Sequence, residues 1–210
     1  STKEEIGIIK SAKTRGVKTV ALLTQNHPGV NAAVEGVKKA VLAEGTQIVF
    51  EERFEGSVRD FKTMVAKAKQ TNADVYFLRS LPPSLEILGE ELRTLGVRSI
   101  AGGGGAFAIS AKPEIFEGYW YQDGALTNDE FPTRFKKSFP DIRYNALAAP
   151  HGYDSFMLFV RAIEAGQDPA LYLQNLTEYD GLAGHMRKLP ATGNFRAPAA
   201  IWTIVNGTPK

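Results

Sequence analysis

The chain contains no cysteine, so disulfide bonds, thiolate nucleophiles and Cys-ligated zinc are excluded. Its three histidines, His27, His151 and His185, lie in distant segments without the HExxH or i, i+4 spacing of a zinc site. No GxSxG motif surrounds a serine. We therefore expect no metal, no cofactor and no enzymatic activity. Cysteine usage does not fix the compartment, because a chain without cysteine suits either the cytosol or a periplasmic protein that avoids mispaired thiols.

Long apolar runs and a strong charge bias are also missing. No stretch approaches the roughly 18 apolar residues that cross a membrane, and the N-terminus lacks the apolar core of a signal peptide. The 25 basic and 23 acidic residues leave a formal charge of +2, which argues against a nucleic acid or an anionic membrane as partner. With 210 residues, 43% of them hydrophobic, the chain can bury the core of one domain or of two small ones.

One sequence pattern occurs three times along the chain: a short apolar strand, then a loop rich in Gly, Pro, Ser or Asn, then a helix. The strands are 18–23, 74–78 and 97–100, and their loops are 24–29, 79–84 and 101–105. Because ligands bind outside the carboxyl ends of parallel strands, these loops indicate a binding scaffold. The sequence predicts an α/β fold with a helix-covered parallel sheet.

Helical periodicity fills the intervals between the strands. The predicted helices before residue 118 are 4–15, 31–44, one that Asp60 opens and one that Pro82 and Pro83 open. After residue 118 the rhythm changes, with a strand at 119–122, helices at 129–139, 153–165 and 168–176, and strands near the C-terminus. In the helix at 129–139, Phe131, Phe135 and Phe139 are predicted to face inward.

Five local strings, in order along nearly the whole chain, resemble one family. They are Gly16–Leu23, Asp60-Phe61, Asn72–Val75, Tyr153-Asp154-Ser155, and the pair Asp180–Gly184 with Thr192–Phe195. Together they are similar to the branched-chain amino-acid (Leu/Ile/Val-binding) type of periplasmic solute-binding protein. The resemblance implies a type I periplasmic-binding-protein fold, in which two α/β lobes close on a small solute, and a membrane permease of an ABC transporter as partner. It also implies a periplasmic location.

The same resemblance divides the chain. Residues 1–124 correspond to a lobe II-like α/β ligand-binding domain, 125–190 to partial lobe I elements, and 191–210 to return strands and the C-terminus. The N-terminal lobe I segment of the family has no counterpart here, so the second lobe is incomplete and we expect weak ligand binding by this chain alone. Apolar surface on Phe156, Phe159, Val160 and Ile163 would then need a cover, from a homodimer or from exchanged elements.

The first candidate ligand-binding residues follow two of the predicted strands. Asn26, His27 and Gly29 precede a predicted helix, where an anion or amide could dock; the alternative is a simple strand-to-helix turn. Arg79 and Ser80 end the next strand, where Arg could pair with a carboxylate and Ser could donate a hydrogen bond. The alternative for Arg79 is a solvated or salt-bridged surface group.

The remaining candidates surround the glycine run, which lacks the Lys-Ser/Thr of a phosphate-binding loop. In the family an acidic residue that neutralises the ammonium of the ligand falls in this loop, and Gly104, beside Gly103, takes its place here. A plain α-amino acid then needs another acid such as Asp123. The aromatic candidates are Phe107, Trp120 and Tyr121, which favour an aromatic or larger organic acid; the alternative for Trp120 and Tyr121 is a core position.

Two functions fit these observations. The first is the solute-binding component of a bacterial ABC importer, which captures a small amino-acid-like or organic acid, aromatic acids included, in a cleft between lobes. The alternative is a ligand-sensing regulatory domain on the same scaffold.

Overall fold

A computed structural model describes residues 2–103, 106–125, 130–142, 144–145 and 148–210. The chain forms two compact units: the first unit comprises residues 1–122 and 201–210, and the second unit residues 123–200. The division at residues 124 and 190 that the resemblance implies stays a prediction.

Helices and strands alternate through the first half of the chain. The elements are α1 (Thr2–Thr14), β1 (Thr19–Asn26), α2 (Pro28–Ala43), β2 (Gln47–Glu55), α3 (Lys62–Gln70), β3 (Val75–Arg79), α4 (Ser84–Thr94), β4 (Ile100–Gly103), α5 (Ala106–Ile109), a 3₁₀ helix (Pro113–Phe116), β5 (Trp120–Gly124), α6 (Glu130–Ser138), α7 (Ala148–Glu164), α8 (Pro169–Asn175), β6 (Glu178–Gly181), β7 (Gly184–Lys188), β8 (Phe195–Arg196), β9 (Ala199–Val205) and β10 (Thr208–Pro209).

The main sheet has seven strands in the order β10-β9-β5-β4-β3-β1-β2. Strands β1 to β5 pair in parallel, and β9 and β10 form an antiparallel hairpin. From β1 the chain goes to β2 on one side and then to β3 on the other, so the strand order reverses between β1 and β3. The predicted helix-covered parallel sheet is confirmed.

Both faces of the central strands β1, β3 and β4 are buried, which explains their continuous apolar runs. Alternate residues point to opposite faces. Leu23 and Leu78 pack with α3 and α4 on one side, whereas Leu22 and Phe77 pack with α1 and α2 on the other. The fourth strand starts later than predicted, at Ile100 instead of 97, because a turn at Gly96 with φ of 76° follows α4.

The second unit contains α6, α7, α8 and a three-stranded sheet in the order β6-β7-β8. The helix α7 begins at Ala148, five residues before the predicted 153. Pro150 is compatible with this early start, because amides in the first turn of a helix need no intrahelical partner. Phe139 follows α6 and is 49% exposed, so the expectation that it faces inward is wrong.

Candidate ligand-binding site

The carboxyl ends of β1, β3 and β4, with the segments that follow them, form what we call the carboxyl edge of the first unit: residues 24–29, 79–81 and 103. It includes the point between β1 and β3 where the strand order reverses. Loops after neighbouring parallel strands separate at such a reversal, and the crevice between them is where open α/β sheets bind ligands. Cα pairing places Thr24 opposite Arg79 and Leu78 opposite Gly102.

The segment after β1 starts a helix with a histidine cap. His27 has an extended backbone, and its Nδ1 accepts a hydrogen bond of 3.3 Å from the backbone N–H of Gly29. Because Nδ1 is the acceptor, the neutral imidazole carries its proton on Nε2. Asn26 is held from two sides: its Nδ2 donates to Glu55 Oε1 at 2.7 Å, and its Oδ1 accepts from Asn31 Nδ2 at 3.0 Å.

The carboxyl end of β3 brings a buried cation to the edge. Arg79 is the last residue of β3 and is 9% exposed. Its guanidinium carbon lies 5.6 Å from the ring centroid of Phe77. A Cβ atom built on Gly103 would stand 2.5 Å from Arg79 Nη2. The glycine in β4 therefore leaves the space that the guanidinium occupies.

Ser80 is buried at the same edge. Its hydroxyl lies 3.0 Å from Gln25 Oε1 and 3.4 Å from the carbonyl oxygen of Leu81, and both are acceptors. A hydroxyl has a single proton to donate. The serine thus gives its hydrogen bond inside the protein and has only oxygen lone pairs left for a ligand.

The structure does not bring the aromatic candidates to the carboxyl edge. Phe107 is 2% exposed and stacks on Phe116 with ring centroids 4.9 Å apart. Tyr121 meets Phe107 edge-on at 5.7 Å. Trp120 is the first residue of β5, at the opposite end of the strand from its carboxyl terminus, and the Arg15 guanidinium lies 4.9 Å from its ring centroid. All three side chains are in the core. Gly104 lies outside the described residues.

Asp123, in the second unit, is a buried acid. It is 7% exposed, and its Oδ1 accepts from the backbone N–H of Gly124 at 2.8 Å. Burial raises the pKa of this carboxyl, while the Gly124 hydrogen bond and the nearby His151 act in the lowering direction. The carboxylate therefore carries its charge less readily than an exposed aspartate.

Two residues without a distinctive sequence motif also shape the carboxyl edge. Gln25 contacts the segment after β3 and Glu55 contacts Asn26, so each connects parts of the chain that are distant in sequence. The only sequence signal is their position at the ends of strands. Among the described residues, no group of three or more His, Asp or Glu is arranged to hold a metal ion.

None of the helices in the described part of the chain has the length and apolarity that a membrane crossing requires.

The chain resembles several solved structures along its whole length. A leucine-binding protein, LivK, from Thermotoga maritima superposes with a TM-score of 0.84 at 21% identity, covering 100% of this chain and 64% of that protein. A solute-binding protein of an ABC transporter from Rhodopseudomonas palustris, in complex with 3,4-dihydroxybenzoic acid, superposes with a TM-score of 0.80 at 19% identity. This match covers 99% of this chain and 62% of that protein. A third structure is a solute-binding protein of an ABC transporter from R. palustris in complex with 4-hydroxybenzoate. It superposes with a TM-score of 0.74 at 21% identity, covering 98% of this chain and 61% of that protein.

These likenesses establish the type I periplasmic-binding-protein fold, and the chain spans somewhat less than two thirds of the length of each of these proteins. Comparison with curated protein sequences gives no significant match. A family profile described as periplasmic binding protein matches residues 7–209. The chain therefore belongs to the periplasmic binding protein family.

Proposed function

We propose that this chain is part of the solute-binding component of a bacterial ABC importer and that it binds a small organic or amino-acid-like acid at its carboxyl edge. The observation that carries the proposal is the position of Arg79. A guanidinium buried at the end of a central strand, beside a strand-order reversal, is a suitable partner for a carboxylate, which it can bind through two parallel hydrogen bonds.

The ligands named for similar proteins share this chemistry. One is called a leucine-binding protein, and two others hold 3,4-dihydroxybenzoic acid and 4-hydroxybenzoate. All three compounds carry a carboxylate, whereas only leucine carries an ammonium group. A carboxylate is thus the group that we expect the carboxyl edge to recognise. Binding and release involve no bond-making chemistry, and we propose no enzymatic role.

The test compares acids with a neutral analogue. Ligand-observed NMR measures the binding of 4-hydroxybenzoate, leucine and 4-hydroxybenzamide to the purified chain and to the variants Arg79→Ala and Arg79→Lys. We expect 4-hydroxybenzamide to bind more weakly than 4-hydroxybenzoate. Arg79→Ala should weaken binding of the preferred acid by about tenfold or more, since charge-assisted hydrogen bonds contribute about 1.5–3 kcal/mol. Arg79→Lys should recover part of the loss.

The matched control is Arg98→Ala, because Arg98 is exposed and precedes β4 instead of following a strand. Equal affinity of the parent chain and Arg79→Ala for every acid would contradict the carboxylate role. Equal affinity for 4-hydroxybenzoate and 4-hydroxybenzamide would contradict the proposed ligand class.

A second part of the proposal concerns the second unit. Phe156, Phe159 and Ile163, on α7, are 65%, 50% and 58% exposed. Their spacing of three and four residues places them on one side of the helix. Contiguous apolar surface of this kind is unfavourable in water. We propose that in the working protein this surface is covered by a second copy of the chain or by exchanged elements.

The remaining parts of the proposed function derive from the family. Its members are periplasmic binding proteins. We propose a periplasmic location and delivery of the solute to a membrane permease for the protein to which this chain contributes.

A further inference from the structure

We infer that Gln25 is the positioning residue of the carboxyl edge; the inference rests on the proposed function. Gln25 is the next-to-last residue of β1, half-buried, beside the reversal of strand order. Its Oε1 accepts two hydrogen bonds from the segment after β3: one of 3.0 Å from the Ser80 hydroxyl and one of 2.9 Å from the backbone N–H of Leu81. One side chain thus spans the crevice between β1 and β3.

The other end of the same amide contacts a third segment. A Cβ atom built on Gly56 would stand only 2.7 Å from Gln25 Nε2, so the backbone after β2 passes close to the amide at a position where a larger residue would crowd it. The carbonyl oxygen of Gly56 in turn accepts from Ser84 Oγ at 3.2 Å, at the start of α4. The loop after β3 is therefore hydrogen-bonded to Gln25, and the loop after β2 lies against the same amide.

Glutamine suits this place because its amide oxygen has two lone pairs for the two donors and its length reaches across the strand spacing. The Leu81 hydrogen bond fixes the backbone two residues after Arg79. The Ser80 hydrogen bond orients that hydroxyl with its proton toward Gln25. Gln25 thereby fixes the orientation of Arg79 at the end of β3. It also makes Ser80 a hydrogen-bond acceptor instead of a donor toward a ligand.

This role distinguishes Gln25 from a ligand contact. It acts on the solute through the Ser80–Leu81 segment, and its loss should move that segment without unfolding the sheet. The variant Gln25→Met keeps the length of the side chain and removes both acceptor bonds. The variant Gln25→Glu keeps two acceptor positions. Gln70→Met, at the exposed end of α3, is the matched control.

The experiment has two readouts on the purified chain: amide hydrogen exchange of Leu81, and affinity for 4-hydroxybenzoate and for leucine by ligand-observed NMR. We expect Gln25→Met to accelerate Leu81 exchange and to weaken the tighter-binding probe, each about tenfold. Gln25→Glu should restore the protection of Leu81, and Gln70→Met should change neither readout.

Unchanged Leu81 exchange in Gln25→Met overturns the inference, and so does unchanged affinity for a probe that the parent chain binds. If the parent chain binds neither probe, recognition of these carboxylates by this chain alone is contradicted, and Leu81 exchange alone decides on Gln25. Faster exchange in Gln25→Met with recovery in Gln25→Glu then upholds the positioning role, and any other exchange result overturns it.

Discussion

Asp154 shows how much a single side chain can organise. It lies on α7, is 2% exposed, and its two carboxylate oxygens accept hydrogen bonds from the backbone N–H groups of Leu182 and Ala183, each at 2.8 Å. A Cβ atom on Gly181 would clash with the same carboxylate and with the Tyr179 ring. A glycine is therefore required where the turn between β6 and β7 approaches the helix.

Removing this carboxylate should destabilise the second unit. Asp154→Ala leaves the Leu182 and Ala183 amides without their acceptor, and we expect the free energy of unfolding to fall by about 3 kcal/mol. Urea unfolding followed by far-UV circular dichroism measures the loss, and the exposed Asp141 supplies the control variant Asp141→Ala. A change below about 0.5 kcal/mol would show that water replaces the carboxylate at no cost.

The sequence indicates the importance of Asp154 more clearly than that of Gln25. Tyr153-Asp154-Ser155 stands out as a family string, but its partners lie 28 and 29 residues away, beyond any local pattern. Gln25 carries no sequence signal beyond its place near the end of an apolar strand, because its role depends on Ser80, Leu81 and Gly56 being folded around it. The position of Arg79 at the carboxyl end of β3 was predictable, because it directly follows the apolar residues of that strand, whereas its role toward a ligand stays a proposal.

At the scale of elements, one aspartate joins two strands of the main sheet at their amino ends. Asp74 Oδ2 accepts from the backbone N–H of Lys18 at 2.8 Å and from the backbone N–H and hydroxyl of Thr19, both at 2.9 Å. The Lys18 hydrogen bond first, and then those of Thr19, lower the pKa of the Asp74 carboxyl below its ordinary value. The start of β1 is thereby tied to the residue before β3.

This arrangement predicts a pH dependence of stability. Because the pKa of Asp74 is lower in the folded than in the unfolded chain, its contribution is fully present above the unfolded value of about 4 and is lost as the pH falls through the folded value. Asp74→Asn should lower the free energy of unfolding at about pH 7. It should also make that free energy fall less steeply as the pH becomes acidic. Urea midpoints from tryptophan fluorescence measure this in the first unit, where Trp120 and Trp202 lie.

The control for this prediction is Asp141→Asn, which should keep the acid dependence of the parent chain. A parallel acid profile of the parent chain and Asp74→Asn would mean that the folded state does not favour the ionised over the protonated form of the Asp74 carboxyl.

Elements were predictable where their pattern is local. The apolar strands and the 3.6-residue periodicity of α1 to α4 predict the parallel sheet.

The glycine run was harder to interpret. A Cβ atom on Gly102 would lie 2.8 Å from the carbonyl oxygen of Leu78 and 2.8 Å from the Phe107 ring, so this glycine serves the close pairing and packing of β4. The short strands β6 and β7 escaped prediction because their turn interrupts the alternation of apolar and polar residues.

At the scale of the molecule, the two units differ in how much core they have. The first unit buries apolar residues on both faces of its sheet, whereas the described residues of the second unit form a small apolar cluster around the buried residues Leu158, Tyr179, Ala183 and Met186. The aromatic side chains between α6 and α7 line an open pocket of about 410 Å³ instead of closing it. The exposed side of α7 adds to this apolar surface.

We expect the purified chain to associate through that surface. Native mass spectrometry should show a dimer or larger species, and the double variant Phe156→Ser/Phe159→Ser should shift the population toward monomer and reduce binding of the dye ANS. Leu42→Ser is the control, because Leu42 is 71% exposed on α2, in the other unit. A parent chain that stays monomeric and does not bind the dye would contradict the proposed covering of α7.

The first unit is built from two stretches of chain, and this has a consequence for its synthesis. Strand β9 lies beside β5, where Ile204 exchanges hydrogen bonds with Gly118 and Tyr119 and is fully buried. On the ribosome, residues 1–122 emerge first, but the edge of β5 has no neighbour until residues 201–210 follow. One edge of β5 therefore stays without its partner strand until the second unit has been made, and an unpaired strand edge favours pairing with other chains.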